Sequence, residues 1–152
     1  MKKSMTGNKY EVTLDETQEL FGQFLSGARC GALLVTTFKE LSDTACNAFE
    51  SSARALGYET DACTFADVSA LDENALFMLV EGLDPKCLVA ADESAASLLS
   101  RAYRCEIPTG EASRALGRTC VAFADFDVML KTPDEKQVAW ALLKKLPKAG
   151  ER

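Results

Sequence analysis

Apolar residues along the chain fall into two kinds of segment. Four short, near-continuous runs read as strands: ALLVTT (32–37), ACTFA (62–66), KCLVAA (86–91) and RTCVAFA (118–124). An apolar run without polar alternation marks a strand buried on both faces, as in a parallel sheet. Between and around these runs the apolar spacing becomes helical. Leu20, Phe21, Phe24, Leu25 and Ala28 form one stripe, and Cys46, Phe49, Ala53 and Leu56 a second. Leu76, Leu79, Val80 and Leu83 form a third, and Ala95, Leu98, Leu99 and Ala102 a fourth. Val138, Ala139, Leu142, Leu143 and Leu146 form the last, with Trp140 at its rim.

Polar residues punctuate these stripes. The capping box Thr13-Leu-Asp-Glu16 predicts the start of the first helix. Ser42, Ser69 and Asp92 are positioned to cap the next three, and Gly57 to stop the second. Thr132, Pro133 and Glu135 give the last helix a cap, a first-turn proline and a box partner. The order is then α-β-α-β-α-β-α-β-α, which predicts a parallel sheet with helices on both faces. Residues 1–152 read as a single domain, with 1–12 a flexible N-terminal segment. The irregular stretch CEIPTGEASRALG (105–117) is expected to hold a short helix around Ser113.

Composition narrows the chemistry. Net charge is −6, with a pI near 4.8. A nucleic-acid binder carries a basic face to meet phosphates, so direct nucleic-acid binding is expected to be weak or absent. Lys144, Lys145, Lys148 and Arg152 make a local basic cluster that reads as a solvated helix end. Histidine is absent, which removes the commonest general base and metal ligand. The six cysteines form no C-x-x-C pair. Cys63, Cys87 and Cys120 lie in apolar runs, where a thiol packs as a small hydrophobe. All six are expected to be reduced and free of metal, and no cofactor is expected. No run approaches the roughly 20 apolar residues that span a bilayer. The opening MKKSMTGNKYEV has no apolar run behind its lysines, so a cytoplasmic protein without a membrane partner is expected.

In an open parallel sheet, ligands bind beyond the carboxyl ends of the strands. Those ends carry Asp67, Asp92, Glu93, Asp125 and Asp127. Helix N-termini favour acids, which accounts for several of them. Clustered carboxylates can also hold magnesium, which leaves phosphoryl transfer at Asp92, Asp125 and Asp127 as an alternative function. The Asp-x-Asp of ADFDVML is similar to the opening motif of haloacid-dehalogenase-type phosphatases, but Met129 stands where that motif has a hydroxyl. No phosphate-binding glycine loop and no G-x-S-x-G elbow occurs.

The stretch LKTPDEKQVAWALLKKL resembles the tail of the uracil-DNA glycosylase superfamily, above all its bacterial family-4 branch. That tail has His-Pro-Ser and then a Leu-[Arg/Lys]-x-Pro-x-x-Lys-x-x-x-Trp pattern. Leu130, Lys131, Pro133, Lys136 and Trp140 meet the second part. Gly117-Arg118 resembles the family's lead-in to the last strand, and CLVAADESAASLLSRAY its penultimate strand and helix. The resemblance covers residues 86–146. It implies a three-layer α/β/α sandwich around a four-stranded parallel sheet, order 2-1-3-4, with the first strand central.

The same resemblance implies a lost active site. Asp125, Phe126 and Asp127 stand at the His-Pro-Ser positions, where an ionised Asp125 would oppose a leaving anion. Thr37 falls near the place of the water-positioning acid. The psi subunit family of bacterial DNA polymerase III is similar in length, in tail and in lacking catalytic residues, and works as an adaptor. The implied function is therefore a non-enzymatic adaptor whose partner is another protein, such as a replication or repair component. Phe38, Phe126 and Trp140 are the candidate contact residues, and Thr37, Asp125, Phe126 and Asp127 the degenerate-site positions.

Overall fold

The structure is a computed structural model that describes residues 5–150, with side chains from residue 13 onward. Its elements run α1 (Met5–Phe21), a 3-10 turn (Gly22–Phe24), β1 (Leu25–Gly27), β2 (Leu33–Thr37), α2 (Asp43–Ala55), β3 (Cys63–Asp67) and α3 (Glu73–Leu83). There follow β4 (Cys87–Ala90), α4 (Glu93–Tyr103), β5 (Ala112–Ala115), β6 (Arg118–Ala122), α5 (Phe126–Met129) and α6 (Pro133–Leu143). The fold is α/β, with one six-stranded mixed sheet in the order β1-β3-β2-β4-β6-β5.

The four apolar runs are β2, β3, β4 and β6, and they pair in parallel with β2 between β3 and β4. The expected four-stranded parallel sheet is nevertheless corrected, because a short antiparallel strand flanks each side. β1 is only Leu-Ser-Gly, and β5 is Ala-Ser-Arg-Ala with only Ala115 buried. An edge strand needs little apolar surface, so neither announces itself by hydropathy. The helix expected around Ser113 is β5 instead, with Ser113 opposite Cys120. Leu116 and Gly117, at φ 49° and 85°, form a two-residue turn that closes the β5–β6 hairpin. Positive φ at both central positions suits the right-handed twist of the paired strands.

Alternation along the central strands sorts side chains to two cores. Leu34, Leu88, Ala90, Cys120 and Ala122 join α1, α3 and α4 on one face. Leu33, Val35, Val89, Val121 and Phe123 join α2, α5 and α6 on the other. Phe49 of α2 stacks on Phe126 of α5 with ring centroids 3.9 Å apart, and Phe123 meets Phe126 edge-on at 4.9 Å. Burying one such ring contributes about 2–3 kcal/mol.

Local signals held where a cap had no competitor. Ser42, Asp92 and Thr132 each accept a backbone N–H at the start of α2, α4 and α6. Gly57, at φ 96°, follows the last turn of α2. Elsewhere the chain departs from expectation. α1 runs from Met5, so the box at Thr13 lies inside the helix, and Thr17 donates to the Thr13 carbonyl. Of the 1–12 segment expected to be flexible, 5–12 are helical and 1–4 lie outside the described residues. Asp72, not Ser69, caps α3, because Ser69 is engaged by Asp67 in a tight turn. Leu20 is exposed, and Phe24 and Leu25 have left the helix. Val138 is 60% exposed, since Ala139, Leu142 and Leu143 alone turn inward on α6. No described helix is long and apolar enough to cross a membrane.

Candidate functional site

The carboxyl ends of β2, β4 and β6 lie side by side, and each leads into a turn. Backbone hydrogen bonds join two of these turns: Glu93 N–H donates to Ala124 O, and Phe126 N–H to Ala91 O. Asp92 and Asp125 face each other as an isolated antiparallel bridge. The β2–α2 loop (38–42) lies across both, so the edge brings Thr37, Asp92, Asp125 and Asp127 into one neighbourhood.

Asp92 is the centre of this edge and is only 5% exposed. Its Oδ1 accepts the Ala95 N–H at 2.9 Å, which caps α4. Its Oδ2 accepts the Thr37 hydroxyl and the Phe38 N–H, each at 2.9 Å, and the Lys39 N–H at 3.2 Å. Burying a polar group without such partners would cost several kcal/mol, roughly 2–7. The sequence shows the cap but not the second task, since Thr37, Phe38 and Lys39 lie 53 to 55 residues away.

Asp125 pairs with Lys39 and accepts the Val128 N–H at the start of α5. Burial pushes its pKa up, but the Lys39 ammonium and the Val128 N–H outweigh that and hold it below the usual carboxylate value. The same pair raises Lys39. Asp127 accepts both the hydroxyl and the N–H of Ser42. Ser42 thus caps α2 and is itself held by α5. Lys39 and the second role of Ser42 are the functional partners that the sequence reading missed.

The magnesium alternative finds no support in this arrangement. Among the described residues no group of three or more His, Cys, Asp or Glu could hold a metal ion. Asp92 takes the Thr37 hydroxyl and the Phe38 and Lys39 N–H groups, Asp125 the Lys39 ammonium, and Asp127 Ser42. Thr37, near the place of the expected water-positioning acid, is 5% exposed, and its one hydroxyl proton serves Asp92 or the Lys39 carbonyl.

Phe126 is corrected as a partner contact, because its ring is 1% exposed and belongs to the core. Phe38 is half-buried against the α1–α3–α4 core. Trp140 is half-buried against the other core, with Lys144 Nζ 5.8 Å from its ring centre. A shallow apolar groove of about 330 Å3 lies beside the edge, floored by Phe123, Met129 and Leu142.

None of the six cysteines is in a disulfide. Cys63, Cys87 and Cys120 are buried, and burial pushes all three thiols up, Cys120 to about 12.

No family model and no curated protein matches the chain.

Proposed function

We propose that this chain is a non-enzymatic protein-interaction domain on a degenerate uracil-DNA glycosylase-like α/β/α scaffold. It works in the cytoplasm as an adaptor, in the manner of a psi-like replication accessory protein, with another protein as its partner. The observation that supports this reading is the use made of the carboxylates. Asp92 is buried and accepts three backbone N–H groups, with the Thr37 hydroxyl shared between it and the Lys39 carbonyl. Asp125 and Asp127 are taken up by Lys39 and Ser42. A general base needs a lone pair facing substrate, and these three face their own fold. The residues that end the strands have become fasteners of the 37–42 loop.

The test has two arms. Purified protein is incubated with uracil-containing single- and double-stranded DNA, with and without magnesium, and scored for uracil release and strand loss. No release above a protein-free control is expected. Affinity purification from the native cell under crosslinking is expected to yield a stoichiometric complex with a replication or repair protein. Uracil release that Asp92→Asn abolishes, or phosphate release that needs magnesium, would overturn the reading.

A further inference from the structure

α1 and α3 meet with no room for a side chain at Gly82. A Cβ at residue 82 would lie 2.1 Å from Thr17 Oγ1 on α1, so only glycine permits this approach. Thr17 is itself fixed by its hydroxyl on the Thr13 carbonyl. The two helices bound a groove whose buried base is Thr17 and Phe21 beside Gly82. The groove holds about 340 Å3. Leu20 on one wall is 59% exposed, and Phe77 and Met78 on the other are 38% and 54% exposed. Single exposed apolar residues are ordinary, but among the described residues three of the six large exposed hydrophobics share this groove.

Among the described residues, Glu16 and Glu81 line the groove and no basic side chain does. Glu81 is taken by Arg118 and Tyr103. Glu16 and the neighbouring Glu19 make no ion pair among the described residues. We propose that this groove docks a basic amphipathic helix of a partner protein. This rests on the protein-interaction reading above and names the surface and the partner's chemistry. A third helix is the natural filler of a groove between two, with apolar side chains at i, i+3, i+4 and i+7 seated between Leu20, Phe77 and Met78. Its lysines or arginines then meet Glu16 and Glu19. A second copy of this chain fits poorly, because a two-fold contact through the same face sets Glu16 against Glu16.

The probe is a fluorescent lysine–leucine peptide of about 18 residues with leucines at helical spacing, long enough to be helical when bound. Its counterpart carries glutamate for each lysine. Full-length protein is titrated by anisotropy, and methyl and aromatic NMR shifts locate the contact. The basic peptide is expected to bind, to weaken as salt rises, and to shift Leu20, Phe77 and Met78. The double variants Leu20→Ser with Met78→Ser, and Glu16→Lys with Glu19→Lys, change exposed residues and should keep the native melt. Each is expected to weaken the probe at least about tenfold. Equal binding of both peptides, unchanged affinity in the variants, shifts outside the groove, or no binding overturns the proposal. So does a native complex that survives both double variants, although the interaction reading would then still stand.

Discussion

The carboxylate of Asp92 and the hydroxyl of Thr37 meet at 2.9 Å across the carboxyl edge of the sheet, one following β4 and the other ending β2. Both are buried, so the contact is internal wiring. Asp92→Ala removes the α4 cap and strands the N–H groups of Phe38 and Lys39. Losing a cap costs about 1 kcal/mol, and each orphaned donor adds up to about 1–3 kcal/mol, less here because both are only part-buried. A loss of about 2–4 kcal/mol is expected in a urea melt. Asp92→Asn is expected to cost about 1–3 kcal/mol, because its amide offers one acceptor where the carboxylate has two occupied oxygens.

Thr37→Val should then cost less in the Asp92→Ala background than alone. The two side chains share one hydrogen bond, and residues in one network are not additive. A double-mutant cycle on the urea midpoints measures the coupling. Additive losses would mean that Thr37 is held by the Lys39 carbonyl at 2.6 Å and owes nothing to Asp92.

Asp125 gives the fold an acid-sensitive contact. Its folded pKa lies below the ordinary carboxylate value, so the unfolded chain takes up this proton first as pH falls. The contribution is complete above the unfolded value of about 4 and is lost as pH drops through the folded value. Asp125→Asn keeps a competent cap for α5 but loses the pairing with Lys39. Its stability should fall slightly below the wild type at pH 7 and close on it as pH drops from about 4 toward 2. Thermal melts between these limits check this. An equal offset at every pH would show that the Lys39 contact does not depend on charge.

How far the fold can be read from the sequence follows the range of each interaction. Caps such as Ser42 and Asp92 act within a few residues, and they were visible. The four central strands were visible because burial on both faces leaves an unbroken apolar run. β1 and β5 were not, since three or four residues with only Ala115 buried carry no pattern. Val138 fits the apolar stripe of α6 by spacing, yet nothing folds over it. At the candidate site the acids were legible as residues but not in their roles. Lys39 reaches Asp125 across 86 positions, and local pattern does not encode such a pairing.

Thiol reactivity should divide the cysteines into two groups. Cys63, Cys87 and Cys120 are buried with raised pKa values, whereas Cys30, Cys46 and Cys105 are partly exposed. Thiolate is the reactive form, so burial and a raised pKa both slow attack. At neutral pH an aromatic disulfide reagent should label only Cys30, Cys46 and Cys105 in the native protein, with Cys46 slowed by its own raised pKa. The remaining three should react on unfolding in guanidinium. Mass spectrometry of the labelled peptides identifies the sites, and native labelling of Cys120 would mean that the sheet opens far below global unfolding.

Leu142 and Val138 sit one turn apart on α6 and should behave oppositely. Leu142 is buried beneath the α2–α5–α6 face, so Leu142→Ala leaves a cavity worth about 2–5 kcal/mol. Val138 is mostly exposed, so Val138→Ala should stay within about 0.5 kcal/mol of wild type. Comparable losses at the two positions would place Val138 under cover that the structure does not show.

Restoring the glycosylase-type His-Pro-Ser at 125–127 tests the lost-site reading most directly, and the expected result is damage without activity. Asp125→His removes the partner of Lys39, and Asp127→Ser removes the acceptor that holds Ser42. Phe126→Pro does more harm. It deletes a ring stacked on Phe49 and packed on Phe123, at about 3–5 kcal/mol. It also removes the N–H that donates to Ala91 O. Against a typical total stability of about 5–15 kcal/mol, the triple variant should be marginal or unfolded. Asp125→His with Asp127→Ser spares the ring, should fold, and keeps the activity arm informative. No uracil release is expected from it, because the β2 end still carries the buried Thr37 in place of an exposed acid, and groups in such sites act together. A uracil-release assay beside a urea melt decides the matter. Release by the folded double variant would show that the edge still presents a working cleft, and the carboxylates would then have to be read as a suppressed site.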